Sequence, residues 1–211
     1  MPQPHKAIAS GGSTGKPKLI VTPSPFSFAP AAHPPAGLWG FKAGDRLYSP
    51  GPLYHNVAFI MTQSILFIGG SAVLNEKFDA DKCLAAIEKH RPTVLNLVPT
   101  MMLRMLRSEK LNTADLSSVR SLWHLAAPCP DWVKRGWIEH IGAVKVNELW
   151  AATEATGATV INGHEWLQKP GSVGRGFATE IRILDDQRRP LPVGEVGEIF
   201  TRFKGAPADY S

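Results

Sequence analysis

Apolar and polar positions along the chain switch repeatedly between a period of two and a period near 3.6, and the switches predict the elements. Ser71 to Asn75 predicts a strand. Asp79 then predicts an N-cap for a helix running to His90, because its carboxylate can accept from a free amide of the first turn. Thr93 to Val98, rich in β-branched residues and leucine, predicts a buried strand. Pro99 suits the first turn of a helix over Thr100 to Ser108, whose Met101, Met102, Met105 and Leu106 are core positions. Strand over Ser121 to Leu125, helix over Trp132 to Ile141 and strand over Val144 to Trp150 follow. Upstream, Lys6 to Ser10, Leu19 to Val21 and Leu47 to Ser49 predict strands. Pro23 to Gly37, with five prolines, predicts a connection without regular structure. Alternating strands and helices predict an α/β fold, a mostly parallel sheet flanked by helices, with ligands at the carboxyl ends of the strands.

The tail has another rhythm. Glu180 to Leu184 alternates, Asp185 to Pro192 is a polar loop, and Glu198 to Arg202 alternates again, which predicts an antiparallel hairpin. The change falls near Gly163 to Gly171, so the expected division is an α/β core over residues 1–168 and a β-rich subdomain over residues 169–211.

Composition narrows the classes. The 211 residues are 44% hydrophobic and 19% charged, as in a globular protein rather than a disordered one. Net charge is +5, which suits anionic small molecules; no basic stripe interleaved with aromatics appears, so nucleic acid is not an expected partner. Cys83 and Cys129 stand far apart without metal-ligand spacing and predict reduced thiols, and with them a cytoplasmic protein. The N-terminal residues carry no apolar core of signal-peptide length. Val57 to Leu74 is the most apolar stretch, and Thr62-Gln63-Ser64 and Gly69-Gly70 interrupt it. It predicts a buried helix turning into a strand, too broken for a bilayer span.

The densest chemistry lies early. Ser10-Gly11-Gly12-Ser13-Thr14-Gly15-Lys16-Pro17-Lys18 packs glycines, hydroxyls and lysines into nine residues. Such a segment disfavours helix and strand but can cradle an anion: amides approach where no Cβ intervenes, hydroxyls donate, and lysines add charge. A flexible Gly/Ser loop is the plain alternative. The P-loop of nucleotide triphosphatases is excluded, because Pro17 follows Gly15-Lys16 where a hydroxyl residue is required.

With its Pro-Lys ending the segment resembles the phosphate loop of the acyl-adenylate-forming superfamily, which includes acyl-CoA synthetases and peptide-synthetase adenylation domains. Further motifs follow in that family's order. Ala126-Ala127-Pro128 resembles its small-residue turn beside adenine, and Trp150-Ala151-Ala152-Thr153-Glu154 resembles its aromatic-Gly-x-Thr-Glu segment, with Ala151 in place of Gly and Trp150 in place of Tyr. Gly171 to Arg175 and Gly194 to Phe200 resemble the turn and segment of its small antiparallel β-barrel. The resemblance implies that Ser10, Gly11, Gly12, Ser13, Thr14, Gly15 and Lys18 hold phosphates, that Ala126, Ala127, Pro128, Trp150 and Ala151 flank the base, and that Thr153 reaches phosphate. Lys18, Thr153 and Glu154 would be the catalytic groups, with Glu154 binding Mg2+. His55 and Asn56 fall where the acyl pocket is expected, although a lone histidine is often structural.

The implied activity is ATP-dependent activation of a carboxylic acid through an acyl-adenylate, then thioester formation with coenzyme A. The apolar wall from Val57 to Ile68 suits a fatty, aromatic or steroid-like acid. The family's segment before the phosphate loop, its Thr-Gly-Asp and its C-terminal domain find no counterpart here, so the chain resembles part of an incomplete large domain. A non-catalytic nucleotide-binding remnant and an amino-acid adenylation domain are the alternatives.

Overall fold

The computed structural model describes residues 6–10, 18–21 and 34–205. At its centre is a seven-stranded sheet in the order β4-β3-β5-β6-β7-β8-β9. Its strands are β3 (Arg46–Ser49), β4 (Ser71–Leu74), β5 (Val94–Leu97), β6 (Ser121–His124), β7 (Val146–Ala151), β8 (Ala158–Asn162) and β9 (Arg175–Gly176). β4 through β7 pair in parallel, whereas β8 and β9 are antiparallel additions. The expected mostly parallel α/β sheet is therefore present.

The helices divide between the two faces of this sheet. α1 (Pro34–Trp39) and α2 (Asn56–Phe67) cover one, where Trp39, Met61 and Ile65 pack with Leu47, Val94, Leu125 and Leu149. α3 (Ala80–His90), α4 (Pro99–Leu106) and α5 (Asp131–Ile141) cover the other, where Leu84, Ile87, Met102, Met105, Val133 and Trp137 pack with Leu95, Leu122 and Val146. The sequence fixes these ends locally. Asp79 accepts from the Lys82 amide at 2.9 Å to start α3, Arg91 at φ 46° ends it, and Pro99 occupies the first turn of α4. α4 and α5 approach closely because Gly136 has no Cβ; one would stand 3.0 Å from Leu106. Trp137, fully buried, donates its indole N–H to the Met102 carbonyl at 3.1 Å.

The amino-terminal edge of the sheet is stitched by one carboxylate. Asp45, 6% exposed, accepts from the Thr93 hydroxyl at 2.8 Å, from Arg120 Nε at 2.9 Å and from the Lys42 amide at 2.6 Å. Burial pushes its pKa up, but Arg120, the Lys42 amide and Thr93 together hold it below the ordinary value.

Three findings depart from the sequence reading. α1 occupies the end of the proline-rich connection. The stretch after Asn162 forms α6 (Gly163–Gln168), a helix not expected there, closed by a capping box in which Asn162 accepts from the Glu165 amide at 2.9 Å and Glu165 accepts from the Asn162 amide. β9 still belongs to the large sheet, and the antiparallel hairpin of β10 (Thr179–Leu184) and β11 (Glu198–Phe203) begins only after it. That hairpin joins the core where the Ala158 amide donates to Thr179 Oγ1 at 3.0 Å. Gly157 is required there, since a Cβ would fall 2.6 Å from Thr179 and 2.8 Å from Thr201. Cys83 and Cys129 are both free. Among the described residues no helix is long and apolar enough to cross a membrane.

Candidate functional site

At the carboxyl ends of β3, β5, β6 and β7, on the α2 side, the sheet opens into a hollow of about 420 Å³. Its position follows from topology: parallel strands all end at this edge, and the connections leaving them diverge toward helices on opposite faces. The walls are largely apolar, with Val98, Met101, Leu125 and Leu149 among them.

His55, exposed, lines the mouth; it is the extended residue before α2 and lies against Tyr54 with ring centroids 4.6 Å apart. Asn56, beside it, lines the hollow too and accepts from the Lys6 ammonium. Burial lowers the Lys6 pKa. This contact bridges fifty residues of sequence and ties α2 to a separate hairpin, β1 (Ala7–Ser10) with β2 (Lys18–Val21). Ser10 and Lys18 are direct cross-strand partners. Gly11, Gly12, Ser13, Thr14 and Gly15, expected to hold phosphate, lie outside the described residues.

The turn after β6 contributes Ala126 and Ala127 to the lining. Ala126 has φ 74°, a conformation disfavoured for a residue with a Cβ, which bends the chain sharply at the sheet's edge. Pro128, next along, is exposed and is not in the lining. From β7 and the turn beyond it come Ala151, Ala152 and Thr153. Strand alternation sends Leu149 and Ala151 toward α2 but Val146, Glu148 and Trp150 toward α5, so Trp150 is not in the wall beside its neighbour Ala151. Glu154 stands exposed in the turn next to Thr153 and is likewise outside the lining. It makes no hydrogen bond or ion pair with the described residues, and no three His, Cys, Asp or Glu among them converge. A divalent ion here would depend on one free carboxylate and on oxygens brought by a ligand, a combination that suits Mg2+.

Directly across the sheet, the α5 face holds a different group. Lys134, fully buried, donates to Glu148, and its ammonium lies 4.7 Å from the Trp166 ring centroid. His124 Nε2 is 3.8 Å from the same carboxylate, and neither ring nitrogen has a hydrogen-bond partner among the described residues. Burial, and secondarily the Lys134 charge, lowers the His124 pKa to about 3, so it is neutral at pH 7. Burial also lowers the Lys134 pKa, with Glu148 opposing. Burial pushes Cys129, near this pair, up to about 11.

Two groups were not singled out from the sequence. Asn96 lines the hollow, 7% exposed, and is betrayed only by being the one polar side chain within Val94–Leu97. Lys6 carries no local signal at all, because its partner is remote in sequence.

A family model described as AMP-binding enzyme matches residues 7–207. Over 197 residues, 92% of the chain, it is 32% identical to indoleacetate–CoA ligase of Aromatoleum aromaticum; over 157 residues, 74% of the chain, it is 32% identical to feruloyl-CoA synthase of an Amycolatopsis species. The matches cover 38% and 32% of those proteins, so the chain spans about a third of the length of the curated relatives it matches. The structure is similar to ATP-bound MatB of Rhodopseudomonas palustris, with a TM-score of 0.76 and 28% identity over 93% of this chain and 39% of that one.

Proposed function

Because the chain belongs to the AMP-binding enzyme family, we propose that it supplies the nucleotide- and acid-binding part of an AMP-forming acid:CoA ligase. The observation that carries this reading is the convergence of His55, Asn56, Ala126, Ala127, Ala151 and Thr153 on one hollow at the carboxyl edge of a parallel sheet. In the proposed reaction a carboxylate oxygen attacks the α-phosphorus of ATP and pyrophosphate leaves; the thiolate of coenzyme A then attacks the acyl carbon and AMP leaves. The protein's contribution is positioning and charge neutralisation rather than a side-chain nucleophile. The loop from Ser10 to Lys18 holds the phosphates, Thr153 donates to them, and Ala126 and Ala127 let a flat base approach the main chain. Trp150 and Pro128 border the base from outside the hollow, and the acid lies along His55, Asn56 and the apolar wall. Glu154 would hold Mg2+, which neutralises phosphate charge when bound. We retain the division at residues 168 and 169 as a proposed subdomain boundary, and a cytoplasmic location as a proposal.

The test is carboxylate-dependent exchange of labelled pyrophosphate into ATP. The expected outcome is exchange by the chain and its loss in Glu154→Ala. ATP binding without exchange would instead favour a nucleotide-binding module. Exchange with amino acids alone would identify an amino-acid adenylation domain.

A further inference from the structure

We propose that Asn96 is a specificity-determining residue and that the acid taken by this site carries a hydroxyl group that meets its amide. The proposal rests on the reading of the hollow as the acid's seat. Asn96 lies on β5 between Leu95 and Leu97, both fully buried, and shares its face with Val94. Its Nδ2 donates to Ser49 Oγ on the adjacent β3 at 3.0 Å, and Ser49 is itself fully buried. That bond fixes the plane of the amide.

An asparagine side chain offers two donors and a carbonyl acceptor, of which this bond uses one donor. The Oδ1 and second N–H make no hydrogen bond with the described residues, although the side chain lines the hollow and its residue is more than nine-tenths buried. Much of the wall is apolar, with Val98, Met101, Leu125 and Leu149, while His55, Asn56, Thr100 and Thr153 supply its other polar side chains. An empty hollow can satisfy the amide with water. A ligand that fills the hollow displaces that water and must replace its hydrogen bonds, or leave a buried amide unpaired. The hydrocarbon part of an acid cannot do so and a carboxylate can only accept, whereas a hydroxyl can both donate and accept. It therefore meets the amide in either of the two orientations that Ser49 allows. A site built to bond a substrate hydroxyl discriminates strongly against the analogue lacking it.

Two matched pairs of acids test this by titration calorimetry, with and without AMP: 3-(4-hydroxyphenyl)propanoate against 3-phenylpropanoate, and 10-hydroxydecanoate against decanoate. At least one hydroxy acid should bind about tenfold or more tightly than its partner. Asn96→Leu should abolish that ratio while keeping or improving affinity for the deoxy acid. Ser49→Ala leaves Asn96 in place but frees its plane, and should shrink the ratio without abolishing it. That second variant keeps the test decisive if Asn96→Leu does not fold. Equal affinities within both pairs, or a ratio untouched by both substitutions, would overturn the role of Asn96 while leaving the hollow as the acid's seat. Failure of every acid to bind would remove the seat and the proposal with it.

Discussion

β6 and β7 present two opposite solutions on their two faces within a few residues of each other. Toward α2, Leu125, Leu149 and Ala151 stop short of filling the space and leave the hollow; toward α5, His124 and Glu148 are closed over by Lys134 and Trp166. The polar groups of the hollow face have valence to spare, as Asn96 and Thr153 illustrate. On the packed face a charge is kept only with its counter-charge, because an unpaired ion in that setting would be far too costly. One face spends its sequence on stability and the other keeps it for a ligand. Substitutions should therefore separate: large stability losses with unchanged ligand preference on one side, and small stability losses with altered binding on the other.

The largest effect should come from Lys134→Met. It leaves the largely buried Glu148 without its cation, and such a loss costs about 3–5 kcal/mol. A urea midpoint would show it directly. Combining Lys134→Met with Glu148→Leu should recover most of the loss, since a packed apolar pair replaces a buried ion pair at little net cost. A single-variant loss under about 1 kcal/mol would mean the pair reaches solvent and the contrast between faces is weaker than the geometry implies.

Next in size is a pH effect. The folded pKa of His124, about 3, lies below its ordinary value of 6.5. Between those values the unfolded chain binds a proton that the folded chain refuses. Stability from this group is therefore complete above about pH 6.5 and falls as pH drops toward 3, by up to roughly 1.4 kcal/mol per unit. The groups facing it are Glu148 and Lys134, with Cys129 beside the pair. Urea unfolding at pH 7 and pH 5 should show the loss in the parent chain. His124→Leu should flatten it; an equal slope in the variant would assign the pH dependence to other groups.

How much of this was legible beforehand follows the same division. The strands and helices of the parallel core announced themselves because periodicity and caps are local: Asp79 and Pro99 mark helix starts in the sequence and do so in the fold. α6 is written equally plainly in Asn162 and Glu165, whose capping box the surrounding glycines obscure. The site was legible as a set of short motifs at strand ends, yet a motif read as a string assigns neighbours to one ligand. A strand turns alternate residues to opposite faces, so Trp150 and Ala151 part company. The buried Lys134–Glu148 pair joins a helix to a strand fourteen residues apart, and the Lys6–Asn56 contact spans fifty. Neither separation leaves a periodic trace.

The smallest stability effect belongs to the hollow face, and it sharpens the comparison most. Thr153 is half-buried at the rim and makes no hydrogen bond with the described residues, so Thr153→Ala removes no internal partner. Its stability should stay within about 0.5 kcal/mol of the parent. If the hydroxyl donates to a phosphate oxygen, the variant loses one hydrogen bond to a charged group, roughly 1.5–3 kcal/mol, which corresponds to a weakening of ATP binding by about tenfold or more. Titration with ATP and a urea midpoint on the same preparation separate the two quantities. A stability loss comparable to that of Lys134→Met, with ATP affinity unchanged, would show that the rim is structural and that the two faces serve one purpose.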